Sequence, residues 1–316
     1  MLLFDFYAFL ILINKPMKKF SLILFSALFV SIAIFVSCNS SKNEETILKG
    51  KATIIVDESI FPIVEDAQAV FESRYDAKLT LLPKSENEAI LELANQKAKI
   101  IVLSRKLNKE ENKIFEQKKI VPRETPFGSD AIVFIKNKSV QDTLIDLQDV
   151  TDFMKGKKNK IKGLVFDNPN SSTVRYMDSL AGLSEIPKTG VYSFKTSEEV
   201  INYVHSNPGL VGIVGYNWLT QPYPKMQDIV NNISILSVKN NKDNKFYFPS
   251  QDNIATKKYP LARDLFIINC QGYEGLGMGF SSFISGEIGQ RIILKSGLVP
   301  FKMPSRKIIT RKQIEE

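Results

Sequence analysis

Three hydroxyl side chains in a row, Ser171, Ser172 and Thr173, stand in the segment Asp167-Asn168-Pro169-Asn170-Ser171-Ser172-Thr173-Val174-Arg175-Tyr176-Met177. The apolar run from Gly163 to Phe166 reads as a buried strand, and Val174, Met177 and Leu180 recur at helical spacing. The hydroxyls therefore fall where a strand turns into a helix. The first turn of a helix presents unpaired backbone N–H groups and the positive end of the helix dipole. Hydroxyls and amides gathered there can cradle a small anion, or simply cap the helix. What the rest of the chain brings to the same place decides between the two.

Polar residues also end three earlier strands: Ser59 after the first, Ser85 after the second and Ser104-Arg105 after the third. In open α/β sheets, ligands bind at the carboxyl ends of strands. Four such segments converging on one cleft would grip a ligand with hydroxyls, backbone N–H groups and a guanidinium. The elements needed to position them follow in order. Lys51 to Asp57 reads as a strand. Pro62 opens a helix with Ile63, Ala67, Val70, Phe71 and Tyr75 on one face. Lys78 to Leu82 is a strand, and Ser85-Glu86-Asn87-Glu88 is a capping box for the next helix. Lys99 to Leu103 is a strand, and Asn108 to Glu111 caps a helix ending near Lys118. This βαβαβα order predicts a parallel or mixed sheet with helices on both faces. Further along, strands are expected at Ala131 to Lys136, Leu210 to Gly215 and Leu265 to Ile268, and helices at Leu147 to Phe153, Ser197 to His205, Gly279 to Ser285 and Glu287 to Ser296.

The N-terminus has a different character. Met17-Lys18-Lys19 precedes an apolar run from Phe20 to Val36 that ends at Phe35-Val36-Ser37-Cys38. That is the layout of a secretory signal, and a cysteine just after the cleavage point resembles the lipobox of bacterial lipoproteins. Residues 1–37 are read as signal peptide, with 1–16 an over-extended start, and residues 38–50 as a polar tether carrying a lipid on Cys38. Removing residues 1–37 takes away Lys15, Lys18, Lys19 and Asp5, so the formal charge of +8 becomes +6. This mild positive field suits anions. The lysines are scattered without interleaved aromatics, which argues against nucleic acid. Cys270 then stands alone and His205 is the one histidine. A metal site built on His and Cys has no ligands, and no cofactor motif is present. A Ser-His-Asp hydrolase would need His205, placed near a helix C-terminus, as its base. The glycines Gly275, Gly277 and Gly279 lack the Lys-Ser/Thr ending of a phosphate loop.

From Lys51 to Pro300 the chain resembles the phosphate-binding proteins of bacterial ABC transporters. Ser59-Ile60-Phe61-Pro62 resembles that family's first anion-binding loop, a Thr-Phe-Pro motif. Lys84-Ser85-Glu86 sits where the family has Gly-Ser-Gly, Leu103-Ser104-Arg105 where it has Ala-Ser-Asp, and Asp167 to Thr173 where it has Arg-Ser-Asp-Gly-Ser-Gly-Thr. Phe153 to Lys157, Pro208 to Tyr216, Tyr259 to Leu265, Gly286 to Gln290 and Gly297 to Pro300 resemble its scaffold segments. The resemblance implies a two-lobed type II periplasmic binding protein fold, each lobe a mixed, mostly parallel sheet flanked by helices, the two joined by two crossing strands. Lobe I would comprise 51–130 and 256–305, lobe II 131–255, and 306–316 a basic tail. It implies binding rather than catalysis, with phosphate or a related oxyanion as ligand, an ABC permease as partner, a monomer and a place in the cell envelope.

The implied ligand-binding residues are Ser59, Ile60, Phe61, Ser85, Ser104, Arg105, Asp167, Ser171, Ser172, Thr173 and Arg175. The departures lie in the site: the family's acceptor Asp is Arg105 here and its Arg is Asp167. Arg105 or Arg175 is then expected to be the anion's cation, Asp167 to accept a proton or steer Arg105, and Glu86 to oppose an anion unless it points away. The alternatives to transport are a surface lipoprotein that senses another small ligand in signalling and, more remotely, an esterase using Ser171 or Ser172.

Overall fold

The computed structural model of the 316-residue chain describes residues 45–157, 160–187 and 189–305. The signal, the lipobox cysteine Cys38 and the basic tail lie outside the described residues. The first half runs β1 (Gly50–Asp57), α1 (Phe61–Arg74), β2 (Ala77–Lys84), α2 (Glu86–Ala94), β3 (Ile100–Leu103), α3 (Lys109–Gln117) and β4 (Arg123–Asn137). Next come β5 (Leu144–Ile145), α4 (Leu147–Met154), β6 (Leu164–Phe166), α5 (Ser172–Ala181), β7 (Val191–Ser193), α6 (Ser197–Ser206), β8 (Val211–Gly215), α7 (Asn217–Thr220) and α8 (Gln227–Asn231). The chain closes with β9 (Ile233–Ile235), β10 (Ser237–Asn240), β11 (Lys245–Tyr247), α9 (Gln251–Ala255), β12 (Ala262–Asn269), α10 (Leu276–Ser285), α11 (Glu287–Lys295) and β13 (Val299–Pro300).

The main sheet has the order β2-β1-β3-β12-β4-β8-β6-β7. Each lobe is built around a parallel trio, β2-β1-β3 in one and β8-β6-β7 in the other. The central strands are β-branched and apolar: Ile54, Ile55 and Val56 of β1 are sealed from solvent, and so are all four residues of β3. Burying one such side chain contributes about 1.5–3 kcal/mol. Three apolar cores result. Two lie on opposite faces of the first trio, one around Phe71, Phe127 and Phe280 and one around Leu93, Phe115 and Ile268. The third, around Phe134, Val165, Met177 and Val204, fills the second lobe.

The lobes are joined at two places, one of them the strand β4. β4 pairs antiparallel with β12 over Arg123–Ala131 and with β8 over Ile132–Ile135, so one strand serves both lobes. The chain returns at Leu261, whose carbonyl accepts from Ile132 N, and the buried Tyr259 hydroxyl donates to the Ile132 carbonyl beside it.

Both capping boxes form as expected, Ser85 with Glu88 and Asn108 with Glu111. Several expectations are corrected. The strand expected to begin at Ala131 begins at Arg123, because Arg123 to Asp130 pairs with β12 around a bulge at Leu265/Phe266 that accommodates Pro126. Leu180 is exposed, and Ala181 takes the inward position instead, since it lies one helical turn after the buried Met177. The stretch read as tether up to residue 50 is docked from Glu45 onward. The Glu45 carboxylate accepts from Leu276 N at the start of α10, from Gln271 and from Tyr273, a favourable place for an anion. The short elements β5, β7, α7 to α9 and the β10–β11 hairpin were not anticipated, being too brief to show a period. Among the described residues no helix is long and apolar enough to cross a membrane.

Candidate functional site

Of the four segment ends expected to converge, Ser59 and Ser172 meet directly, and Ser85 lines a cavity with Ser171; the Ser104 hydroxyl makes no hydrogen bond to them. Ser171 caps α5, accepting from Val174 N, and its hydroxyl donates to Asp167 Oδ1 at 2.5 Å. Ser172, the first residue of α5, is fully buried and meets Ser59 of the other lobe, Oγ to Oγ, at 2.9 Å. Ser59 Oγ donates to Asp57 Oδ1, and Arg263 Nη1 donates to Ser172 Oγ at 2.9 Å. A hydroxyl has a single proton to give, so Ser172 is the donor to Ser59. A directional chain therefore runs from the Arg263 guanidinium through both serines to the Asp57 carboxylate, crossing from lobe to lobe.

Backbone geometry permits this contact. A Cβ at Gly215 would lie 2.2 Å from the Ser59 carbonyl and 2.9 Å from Arg263 Nη2, so only glycine fits there. Ile60 is buried under the turn, and α1 starts at Phe61 without a side-chain cap.

Other contacts complete the closure. Glu58 accepts from Ser197 N and Ser197 Oγ at 2.8 and 2.9 Å, setting its carboxylate at the N-terminus of α6. Asn217 donates to the Ser59 carbonyl and Trp218 to the Glu58 carbonyl. Asn87 N donates to Asn170 O across the other side of the cleft. Between these contacts lies a cavity of about 410 Å³ whose wall includes Phe61, Ser85, Asp167 and Ser171.

The cations are placed differently from expectation. Arg105 donates from Nε to Glu86, from both Nη atoms to Glu111 and from Nη1 to the Lys106 carbonyl. Four of its five N–H groups are thereby engaged within its own lobe, and the expected free partner for an anion is not offered there. Arg175 forms a two-point pair with the same Glu86, at 2.6 and 3.2 Å. Glu86, expected to oppose an anion unless turned away, is fully buried and clasped by arginines from both lobes. The guanidinium at the centre is Arg263, which lies opposite Asp130 in the β4–β12 register and pairs with it at 3.0 Å.

Arg263, Asp130, Asp57 and Glu58 were not expected in the site. The available signal was a charged residue at an inward, period-two position of an otherwise apolar strand; it identifies a buried charge but not its partner. Ser104 is buried with its hydroxyl unpartnered, as are Thr173 Oγ1, Asp57 Oδ2, Asp167 Oδ2 and Arg263 Nε. Buried polar atoms in this number need partners, and here donors and acceptors are both present.

The electrostatics favour protons. Burial pushes Asp167 up to about 7, Asp57's charge adding to the effect, and burial with Asp167's charge pushes Glu58 up to about 8. Burial also raises Asp57 and Asp130 against the pull of Arg263. His205 stands in the last turn of α6, roughly 12 Å along the helix from Ser197. Among the described residues no cluster of three or more His, Cys, Asp or Glu could hold a metal.

The chain is 25% identical over 307 residues to the phosphate-binding protein PstS of Borreliella burgdorferi, an alignment covering 90% of this chain and all of the relative. Its fold resembles that of a structure from Clostridium perfringens with bound phosphate, assigned as a phosphate ABC transporter substrate-binding protein. There the TM-score is 0.68 at 19% identity, over 80% of this chain and 100% of the other. An ABC-type phosphate transport receptor from Vibrio cholerae matches with a TM-score of 0.59 at 17% identity, over 79% of this chain and 100% of that one. The profile of the PBP superfamily domain matches residues 41–287. Taken with the two-lobed α/β architecture and the cleft between the lobes, this match means that the chain belongs to the periplasmic binding protein superfamily.

Proposed function

We propose that this chain is the solute-binding protein of an ABC importer and captures phosphate or a related oxyanion between its lobes. The observation that carries the reading is the α5 N-terminus. Buried Ser171, Ser172 and Thr173 open the helix there, Ser59 comes from the facing lobe, and Thr173 Oγ1 still lacks a partner. Helix N-termini attract anions through their free N–H groups and dipole. The phosphate-binding relatives support the same ligand class.

In this reading 51–130 with 256–305 and 131–255 are the lobes, opening about β4 and the Leu261 return, and Ser59, Phe61, Ser85, Asp167 and Ser171 to Thr173 touch the ligand. Arg105 and Arg175 act on it through Glu86. The protein is a monomer that binds rather than transforms its ligand, held by a lipid on Cys38 at the outer side of a membrane, where it meets its permease. Calorimetry with phosphate, sulfate and arsenate, on protein freed of bound ligand by unfolding and refolding, is the test. Binding heat with phosphate is expected, and silence with every oxyanion would sink the reading. A sensor of another small ligand is the second reading, favoured by the carboxylate at the position of the family's arginine.

A further inference from the structure

The interlobe cavity is larger and more acidic than an inorganic oxyanion requires. Its volume of about 410 Å³ greatly exceeds one tetrahedral anion. Beyond the α5 end, where Ser171 and Asp167 line it, the wall is formed by Phe61, Trp218 and Tyr223 with Glu58. Two of these rings are held in place. Trp218 Nε1 donates to the Glu58 carbonyl, the Tyr223 hydroxyl donates to Glu65, and the rings pack edge to face at 5.8 Å.

Among the described residues no arginine lines the cavity. Its lysines are Lys84, paired with Glu92 at 2.8 Å, and Lys195; its carboxylates are Glu58, Glu88, Asp167 and Glu198. Asp167 is buried with Oδ2 unpartnered and forms part of the wall. Glu198 pairs with Lys225 at 2.8 Å, and burial leaves Glu58 and Asp167 protonated at neutral pH. An ammonium placed beside these two would favour their ionised form and gain a charged partner, whereas a dianion would not. Aromatic faces beside carboxylates are the surroundings that recognise an ammonium group.

We infer that the ligand is a small zwitterion, a phosphate or phosphonate carrying an ammonium group, with the anion at the α5 N-terminus and the ammonium between the aromatic wall and the Glu58 and Asp167 carboxylates. This inference rests on the oxyanion reading above and narrows it. It accounts for the carboxylate at position 167: the ammonium supplies the positive charge from the ligand's side. It also gives Asp167 Oδ2 a donor.

The test is calorimetry of the ligand-free protein with phosphoethanolamine, ethyl phosphate, inorganic phosphate and ethanolamine. Phosphoethanolamine is expected to bind at least about tenfold more tightly than ethyl phosphate or inorganic phosphate, about 1.4 kcal/mol. Glu58→Gln is expected to erase most of that advantage, and so is Trp218→Leu if the glutamine variant does not fold. Inorganic or ethyl phosphate binding as tightly as phosphoethanolamine would overturn the zwitterion while leaving the oxyanion reading intact. An advantage that persists in both variants would also overturn it. Ethanolamine binding with no response to any phosphorus compound would remove both readings.

Discussion

Two arginine clusters sit in this cleft and they differ in what they connect. Arg263 pairs with Asp130 across β4 and β12, two strands hydrogen-bonded to each other. Glu86 pairs with Arg105 of its own lobe and Arg175 of the other, so an opening of the proposed cleft would divide its contacts. The first pair is sealed from solvent on both sides, whereas Arg175 keeps 37% of its side chain exposed. Burial makes the first pair part of the architecture, and its position across the lobes makes the second a latch.

Breaking the hinge pair should have the largest effect. Removing one partner of a buried pair strands the other charge, and Arg263→Ala should cost about 3–5 kcal/mol of folding stability in denaturant unfolding. Combining Arg263→Met with Asp130→Leu should recover part of that loss, because Asp130 is then no longer stranded, while Asp57 still loses the guanidinium that favours its charge. If the double variant is no better than the single, the pair does more than fill a buried space.

At the latch, Glu86→Ala leaves two arginines without their shared carboxylate. A loss of about 1.5–3 kcal/mol is expected from its charged hydrogen bonds, with more open conformations in small-angle scattering. Arg175→Ala tests the latch with the smaller energy, roughly 0.2–1 kcal/mol given its exposure, yet it should open the cleft as far. Equal compactness of Arg175→Ala and the parent would break the contrast between the clusters.

The carboxylates near Ser171 add a pH dependence. Asp167 and Glu58 hold protons in the folded chain up to about 7 and about 8, above their ordinary values. The folded state therefore binds more protons than the unfolded one between about pH 4 and those values, and stability falls as pH rises through that window. Thermal unfolding should show the midpoint dropping from pH 5 to pH 8, and Asp167→Asn should flatten the drop. Ser85→Ala should cost about 1 kcal/mol for a lost cap, read by the same melts.

Much of the fold was legible. Alternation of apolar runs with amphipathic segments marked the parallel trios and their helices, since burial on both faces demands Ile54-Ile55-Val56 and Ile100 to Leu103. The return of β12 between β3 and β4 was not legible, because pairing partners distant in sequence leave no local period. In the site, the hydroxyls at strand ends were legible because capping is local. The roles of the arginines were not. Arg105, Arg175 and Arg263 are alike as residues, and what separates them is which carboxylate the fold brings to each.

The sequence by itself determined the class of fold, the capped helices and the hydroxyl-rich α5 N-terminus, since all of these follow from neighbours a few residues apart. Only the tertiary structure decided that Ser172 meets Ser59, that Glu86 joins the lobes and that Arg263 rather than Arg105 stands at the centre. Those outcomes depend on desolvation and on contacts spanning 89 to 113 residues, and no local pattern encodes which buried charge finds which partner.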